Sequence, residues 1–541
     1  MELAKIRVAW PYRSALVKLF GVLASVALYS CGGGGGSTTT TPTGTGGNSN
    51  VWTQGVFKPS SNFMAQCAAP RSGTDPGTGK PYPDVQGSTV TENNWLRSWT
   101  NELYLWYNEV TDVDPSLYAT SDYFKKLRTA QADAAGQPKD KFHFTYATST
   151  WETLSSSDVQ PGYGAQWVLV STTPPRQLIV AYTIPNTPAT AANLTRGAQI
   201  LTVDGVDLVN ANDQASVNTI NNGISPATVG ESHTFTVQDP GSSTTRTVTL
   251  TSQNVTENPV PLVTTFPTSM GTVGYVIFDD HQATAEAGLV SAVNQLASAH
   301  ITDLILDMRY NGGGFLDIAN ELAYMIAGPG PTAGETFYTQ QFNSKNPSTN
   351  PVTGRPLTPE SFHTQTQGFS ISSGQALPTL NLARVFVLTS PSTCSASEAV
   401  INGLQGVNVQ VIQIGTTTCG KPYGFYPQDN CGTTYFSIEF RGVNAQGFGN
   451  YPDGFSPSNS NAAASGATLP GCQVADDFTH ALGDPAEARL AAALNYTTNP
   501  MCPASSGAPP GGAGKHTQRP LSATDGRLVR QPAREIAILR R

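Results

Sequence analysis

Two short segments, Ser395-Ala396-Ser397-Glu398 and Cys419-Gly420-Lys421, carry the residue types needed for acyl transfer. A serine hydroxyl is a weak nucleophile, and a lysine can take its proton only if its surroundings hold the amine neutral. Attack on a carbonyl also creates an oxyanion that must meet preplaced N–H donors. The apolar run 385–388 reads as a buried strand and the periodic stretch 399–404 as a helix, which puts Ser395 on a strand-to-helix turn. There the first helical N–H groups are unpaired and the dipole favours negative charge. The plainer reading is that Ser395 or Ser397 caps the helix, with Glu398 in its first turn. A third segment, Asn311-Gly312-Gly313-Gly314, follows the apolar run 304–309, and its glycines let backbone N–H groups approach a ligand without Cβ obstruction. Alone it reads as a tight turn, and Lys421 alone as a solvated surface lysine. Their order, and their common placement in loops after strands, make them one candidate constellation.

Residues 271–496 alternate strand and helix patterns, the signature of an α/β layer. Strands are expected at 273–278, 304–309, 385–388, 409–414 and 434–440, the last continuing the same sheet, with helices at 284–299, 316–326 and 485–496. Residues 328–380 read as a polar, Pro-rich loop. Further upstream, Leu96, Trp99, Leu103 and Trp106 recur at helical spacing and predict a helix over 94–107 with one aromatic face, followed by a second helix around Tyr123, Phe124 and Leu127. That stripe reads as core. Residues 157–252 change texture to short strands and turns, including the hairpin-type dipeptide Asp204-Gly205.

Charged residues make up 13% of the 541 residues, below the roughly 25% usual for soluble domains, and the net charge is −8. No basic surface for nucleic acid is indicated. Lys5, Arg7, Arg13 and Lys18 precede an apolar run, 19–28, too short to span a bilayer. The run ends at Leu28-Tyr29-Ser30-Cys31 before five glycines. This resembles a bacterial lipoprotein signal, with Cys31 as the lipidated residue and 32–92 as a flexible tether. Gly32 after that cysteine is similar to the pattern sent to the outer membrane, so the expected place is the periplasmic face of that membrane. An ordinary secretory signal is the simpler alternative. Six further cysteines, in an exported chain, favour disulfides: Cys419–Cys431, Cys472–Cys502 and Cys394–Cys419 are all feasible. No CxxC or HxxxH spacing supports a zinc site, so no metal and no cofactor are expected. Residues 503–541 read as a disordered tail.

The three segments together resemble the C-terminal processing (tail-specific) serine peptidases, over about 95–500. The run 304–314 looks like that family's strand and glycine segment, 392–399 like its nucleophile segment, and Gly420-Lys421 like its lysine loop. Gly162-Tyr163-Gly164, then 184–189, then Arg196-Gly197 through Asp204-Gly205 resemble a PDZ domain, with Ala198 where an aspartate is usual. The resemblance implies a crotonase-like α/β protease core (256–502), and with the small N-terminal helical module (93–156) and the β-rich PDZ-like domain (157–255) the chain reads as multidomain α+β. The resemblance also implies Ser395 as nucleophile and Lys421 as base, with the N–H groups of Gly313 and Ala396 as oxyanion hole. Gly162, Tyr163, Gly164 and Ala165 would cradle a peptide carboxylate. The substrates implied are envelope proteins or peptides, engaged through their C-termini. The family usually carries a glutamine about four residues after the lysine; here that position is Phe425, and Gln428 is the nearest candidate to orient the dyad. Other readings are a Ser–His pair using His281 or His363, an ester hydrolase, and a catalytically silent, PDZ-containing, peptide-binding envelope lipoprotein.

Overall fold

The structure is a computed structural model describing residues 52–503, apart from 77, 135, 157, 158, 172 and 461–465, together with Ile538 and Leu539. The signal, Cys31 and nearly all of the C-terminal tail lie outside the described residues. Among the described residues, no helix is long and apolar enough to cross a membrane.

The core is a six-stranded sheet whose strands follow one another in space as in sequence: Leu262–Thr268, Gly271–Ile277, Asp303–Asp307, Arg384–Thr389, Gln410–Gly415 and Gly471–Gln473. The first pair is antiparallel and the others parallel. Alternate residues feed two separate apolar layers. Leu304, Leu306, Val385, Val387, Val409 and Val411 pack under helices Ala285–Ser298, Leu316–Ala327 and Ala396–Gly406. Ile305, Phe386, Leu388, Ile412 and Ile414 face helix Ala488–Thr498. Each fully buried aliphatic side chain contributes about 1.5–3 kcal/mol relative to exposure. The parallel strands therefore end together, and their C-terminal loops carry the glycine run, Ser395 and Lys421.

Three expectations need correction. The stretch 434–440 does not extend this sheet: Thr433–Phe436 pairs with Gln428–Asn430 and with Phe144–Ala147, and Phe440–Val443 pairs with Thr336–Phe342. The sixth strand is instead Gly471–Gln473, too short to stand out by pattern. Residues 328–380 are not all loop, since they supply helix Pro329–Thr332 and strands Thr336–Phe342 and Glu360–Ser361. The aromatic helix is Thr89–Leu103, so Trp106 lies beyond it. Ser88 opens that helix by accepting the Thr91 N–H at 3.2 Å. It stops because Asn343 Nδ2 donates to Glu102 O and Tyr104 O, both at 3.0 Å, and the Leu105 N–H turns away to Ile438 O. Trp95 and Trp99 stack with centroids 5.3 Å apart and pack with Phe124 and Tyr435, as a core stripe should. The second helix is Thr120–Lys126.

Residues 159–256 form a β-rich unit. Strands Ala165–Ser171, Gln177–Thr183, Gln199–Val203, Ser232–Gln238 and Thr245–Thr251 make an antiparallel sheet around Leu178, Val180, Ile200, Phe235 and Val237. Val159–Gly162 pairs with Gln253–Thr256, joining entry to exit.

Among the described residues three disulfides are present: Cys67–Cys431, Cys394–Cys419 and Cys472–Cys502. Of the feasible pairings, Cys394–Cys419 and Cys472–Cys502 form, and Cys419–Cys431 does not, because Cys431 is taken by Cys67. That bridge ties the irregular segment before the aromatic helix to the Asn430–Thr433 hairpin.

Candidate active site

Strand Arg384–Thr389 runs into a turn at whose end Ser395 occupies the N-cap position of helix Ala396–Gly406, with φ 57° and ψ −113°. A non-glycine residue in that region is strained unless its neighbours fix it. They do so here. Cys394 N and Ser397 Oγ both donate to Asn311 O at 3.1 Å, and Thr393 Oγ1 donates to Met308 O at 2.8 Å. The Ser395 N–H donates to Glu398 Oε2 at 3.1 Å. The Ser395 hydroxyl is buried and makes no hydrogen bond, so the serine has the cap's position without the cap's bond.

The glycine run packs directly on this turn. Gly313 has φ 106°, and a Cβ there would lie 2.8 Å from Ser395 Cβ and 3.0 Å from Ala396 N, so glycine alone fits. The two residues expected to form the oxyanion hole are thus side by side. The Gly313 N–H currently donates to Asn311 Oδ1 at 3.0 Å. His281 Nδ1 lies 2.9 Å from the same oxygen, which assigns its proton to Nδ1. Asn311 Nδ2 donates in turn to Phe278 O. Burial pushes the His281 imidazole down to about 3, against the contacts from Asn311 and Gly313. His281 is therefore a neutral strut of the glycine loop. His363 Nε2 sits 3.0 Å from Asp317 Oδ1. Neither histidine bonds to Ser395.

Below the loop, Arg309 is buried against Asp307, Asp476 and Glu487. Arg196, from the β-rich unit, donates to Asp476 Oδ1 and to the Tyr310 hydroxyl, both at 2.7 Å. The glycine loop is thereby anchored both to the sheet and to the neighbouring unit.

Lys421 is fully buried, and its Nζ has no hydrogen-bond partner. Burial holds the amine well below its ordinary range, outweighing the opposing pull of Glu398 and Asp140. Its Nζ stands over two aromatic faces, 4.2 Å from the Phe425 centroid and 5.2 Å from that of Phe142. The lysine loop and the serine turn share one carboxyl group. Glu398 Oε1 accepts from Thr418 Oγ1 at 2.5 Å and Gly420 N at 2.9 Å; Oε2 accepts from Lys421 N at 2.8 Å as well as Ser395 N. Burial raises the Glu398 carboxyl, and these donors oppose the rise. The Cys394–Cys419 disulfide is a second tie between the same loops.

Gln428 is not part of this arrangement. It lies on strand Gln428–Asn430, its amide donates to Asp429 O at 3.4 Å, and nothing hydrogen-bonds Lys421 Nζ. In the β-rich unit, Tyr163 points inward and donates to Gly223 O at 2.9 Å. Gly164 has φ 73° and is packed so tightly on Thr187 that a Cβ would overlap it. Gly162 ends its strand and Ala165 begins the next. Two groups of metal-type ligands, Cys394/Glu398/Cys419 and Cys67/Glu92/Cys431, are built on bridged cysteines, and a third is Asp317/Glu360/His363. The sequence pattern gives Glu398 only a capping role and does not single out Phe142. The adjacency of Glu398 to Ser395 was the available signal for the first; Phe142 had none.

Residues 272–425 match Peptidase family S41, a span that contains the glycine run, Ser395 and Lys421. The chain is 26% identical over 245 residues to a carboxyl-terminal-processing protease of Picosynechococcus sp. strain PCC 7002, covering 45% of this chain and 50% of that protein. The match thus spans about half the length of this curated relative. A crystal structure from Bacteroides fragilis NCTC 9343, of a protein assigned to the S41 proteases, superposes with a TM-score of 0.54 at 20% identity, covering 78% of this chain and 98% of the other. The similarity in fold extends well beyond residues 272–425.

Proposed function

We propose that this chain, whose residues 272–425 match Peptidase family S41, is a serine endopeptidase of the C-terminal processing type, working by a Ser395–Lys421 dyad. The observation that carries this reading is Lys421: a fully buried lysine without a hydrogen bond, its loop joined to the Ser395 turn through Glu398 and a disulfide. Burial without a polar partner disfavours the charged form, so the amine is held as the neutral base that the dyad requires.

In the proposed mechanism, neutral Lys421 Nζ takes the Ser395 proton as Oγ attacks the scissile carbonyl. The oxyanion is met by the Ala396 N–H at the helix start and by the Gly313 N–H, released from Asn311 Oδ1. The lysine ammonium then protonates the leaving amine, and water attacks the acyl-serine with Lys421 again as base. Beside Gly313, strand Gly314–Phe315 takes Ile538–Leu539 as a parallel neighbour, the kind of backbone pairing an extended peptide requires. The unit at 159–256 we assign as PDZ-like, its loop Gly162–Ala165 receiving substrate C-termini, and Cys31 as the lipid anchor in the bacterial envelope.

A fluorophosphonate probe tests the dyad. Labelling is expected for the wild-type chain, absent in Ser395→Ala, and slowed by about 100-fold or more in Lys421→Ala. Equal labelling of Lys421→Ala and wild type overturns the assignment of Lys421. No labelling of any form would favour the silent peptide-binding alternative.

A further inference from the structure

The amine that has to accept the Ser395 proton is held without a polar partner. Lys421 Nζ makes no hydrogen bond, and no glutamine reaches it. It meets instead two ring faces from distant parts of the chain. Phe425 lies just past the lysine in its own loop; Phe142 comes from the segment joining the N-terminal helices to strand Phe144–Ala147. Both rings are buried, at 1% and 2% exposure, and neither is free to turn away. Phe425 is wedged edge-on against Phe144, at 5.9 Å, and Phe436, at 5.3 Å. The backbone of Phe142 is held by its N–H, which donates to Asp140 Oδ1 at 2.9 Å, and its ring is enclosed in a cluster with Tyr104, Tyr423 and Phe436.

We propose that Phe425 and Phe142 are positioning residues for Lys421, their ring faces holding its amine ready for the Ser395 proton in place of a hydrogen-bonding side chain. This rests on the dyad reading above. A ring face has no donor to engage the lone pair of a neutral amine, so that lone pair stays available to the serine hydroxyl. Once the proton has moved, the same faces attract the ammonium through their quadrupoles, most strongly where water is excluded. The rings therefore stabilise the base at the moment it becomes charged. The charged groups facing Lys421 are Glu398, from the serine helix, and Asp140, from the segment that carries Phe142. Asp140 is itself engaged by the Tyr104 hydroxyl at 2.7 Å and the Phe142 N–H. The N-terminal segment thus completes the catalytic centre of the α/β core.

The sign of a pH effect separates a ring face from simple packing. Phe425→Leu keeps the site dry and removes the quadrupole, so the ammonium loses support. In the full chain, the plateau rate of fluorophosphonate labelling is expected to fall about tenfold, and the midpoint of its acid limb to move down by about half a pH unit or more. Phe425→Tyr, which keeps the face, should stay within about threefold of wild type at an unchanged midpoint. Phe142→Leu tests the second ring and serves alone if Phe425→Leu does not fold, as judged by near-UV circular dichroism. An unchanged plateau and midpoint in the leucine variants, or a midpoint that moves up as water enters, overturns the proposal. If Lys421→Ala loses labelling while the leucine variants behave as wild type, the dyad stands and only the role of the rings falls.

Discussion

Cys394 and Cys419 are joined by a disulfide with their Cα atoms 5.2 Å apart, one immediately before Ser395 and the other just before Gly420-Lys421. The bridge closes a sequence separation of 25 residues. Cys394 is buried and Cys419 partly so. The bond is thus a covalent constraint on the two loops whose approach the proposed dyad needs. Replacing both cysteines by alanine should lower unfolding free energy by about 3 kcal/mol, from the lost constraint on the unfolded chain. It should also slow fluorophosphonate labelling about tenfold at a temperature where both forms are folded, because a small misplacement of a base is costly to rate. Wild-type labelling in a destabilised double variant would mean that the bridge adds stability without positioning the dyad.

Much of this centre was legible from sequence because its parts obey local rules. The strands before the glycine run and before Ser395 announce themselves as apolar runs, and a serine between a strand and an amphipathic helix must fall at the helix N-terminus. The glycines mark a close approach, which the structure identifies as Gly313 against the Ser395 turn. What escaped depends on tertiary context. Trp106 continues a helical spacing that Asn343 interrupts from far along the chain. Thr433–Phe436 has a strand pattern with no indication of which sheet it joins, and Gly471–Gln473 is too short to be noticed. Phe142 touches Lys421 only because the N-terminal segment folds back over the core. No periodicity encodes that contact.

Glu398 is the polar counterpart of the disulfide. Its two oxygens accept the N–H groups of Ser395, Gly420 and Lys421 and the Thr418 hydroxyl. Glu398→Ala leaves these buried donors without an acceptor, at about 1–3 kcal/mol for each one that water cannot reach. The expected loss is at least about 3 kcal/mol of stability, with labelling of Ser395 nearly abolished. Glu398→Gln keeps one carbonyl oxygen but turns an NH2 group toward other donors, so it should fall between alanine and wild type. Urea denaturation together with probe labelling ranks the three forms. A glutamine variant worse than alanine would contradict the acceptor role.

Lys421 makes a prediction about stability as well as rate. In the folded chain its amine is held well below the ordinary lysine range by burial, whereas in the unfolded chain it stays protonated up to about pH 10.4. Between those two values the unfolded state binds the extra proton, so this residue makes stability rise with pH, by at most about 1.4 kcal/mol per unit. Lys421→Met removes that dependence and keeps the chain length. The variant is expected to be inactive, more stable than wild type at pH 7, and to lose its advantage steadily toward pH 10. A stability difference that is constant from pH 7 to pH 10 would show that the lysine is charged in the folded state.

Glu321 should act with the opposite sign. It lies on helix Leu316–Ala327, which leaves the glycine run, and faces Glu286. Glu321 Oε1 accepts from Gln367 N at 2.8 Å, while Glu286 accepts from Gly368, Ser370 and Ile371. The two carboxyls thus hold one loop, whose Phe369 packs against Phe315 with centroids 4.9 Å apart. Burial, helped by the neighbouring Glu286, pushes the Glu321 carboxyl up to about 9. Its folded value exceeds its unfolded one, so its contribution is complete below the unfolded carboxyl range and is lost as pH rises through about 9. Glu321→Gln mimics the protonated form and removes the penalty of keeping that proton. The variant should match wild type near pH 4.5 and exceed it increasingly above, by up to about 1.4 kcal/mol per unit. Because the Lys421 slope runs the other way, wild-type stability alone hides both effects. Denaturation of Glu321→Gln and Lys421→Met across one pH series separates them, and parallel curves for Glu321→Gln and wild type would show that the Glu321 carboxyl is ionised in the fold.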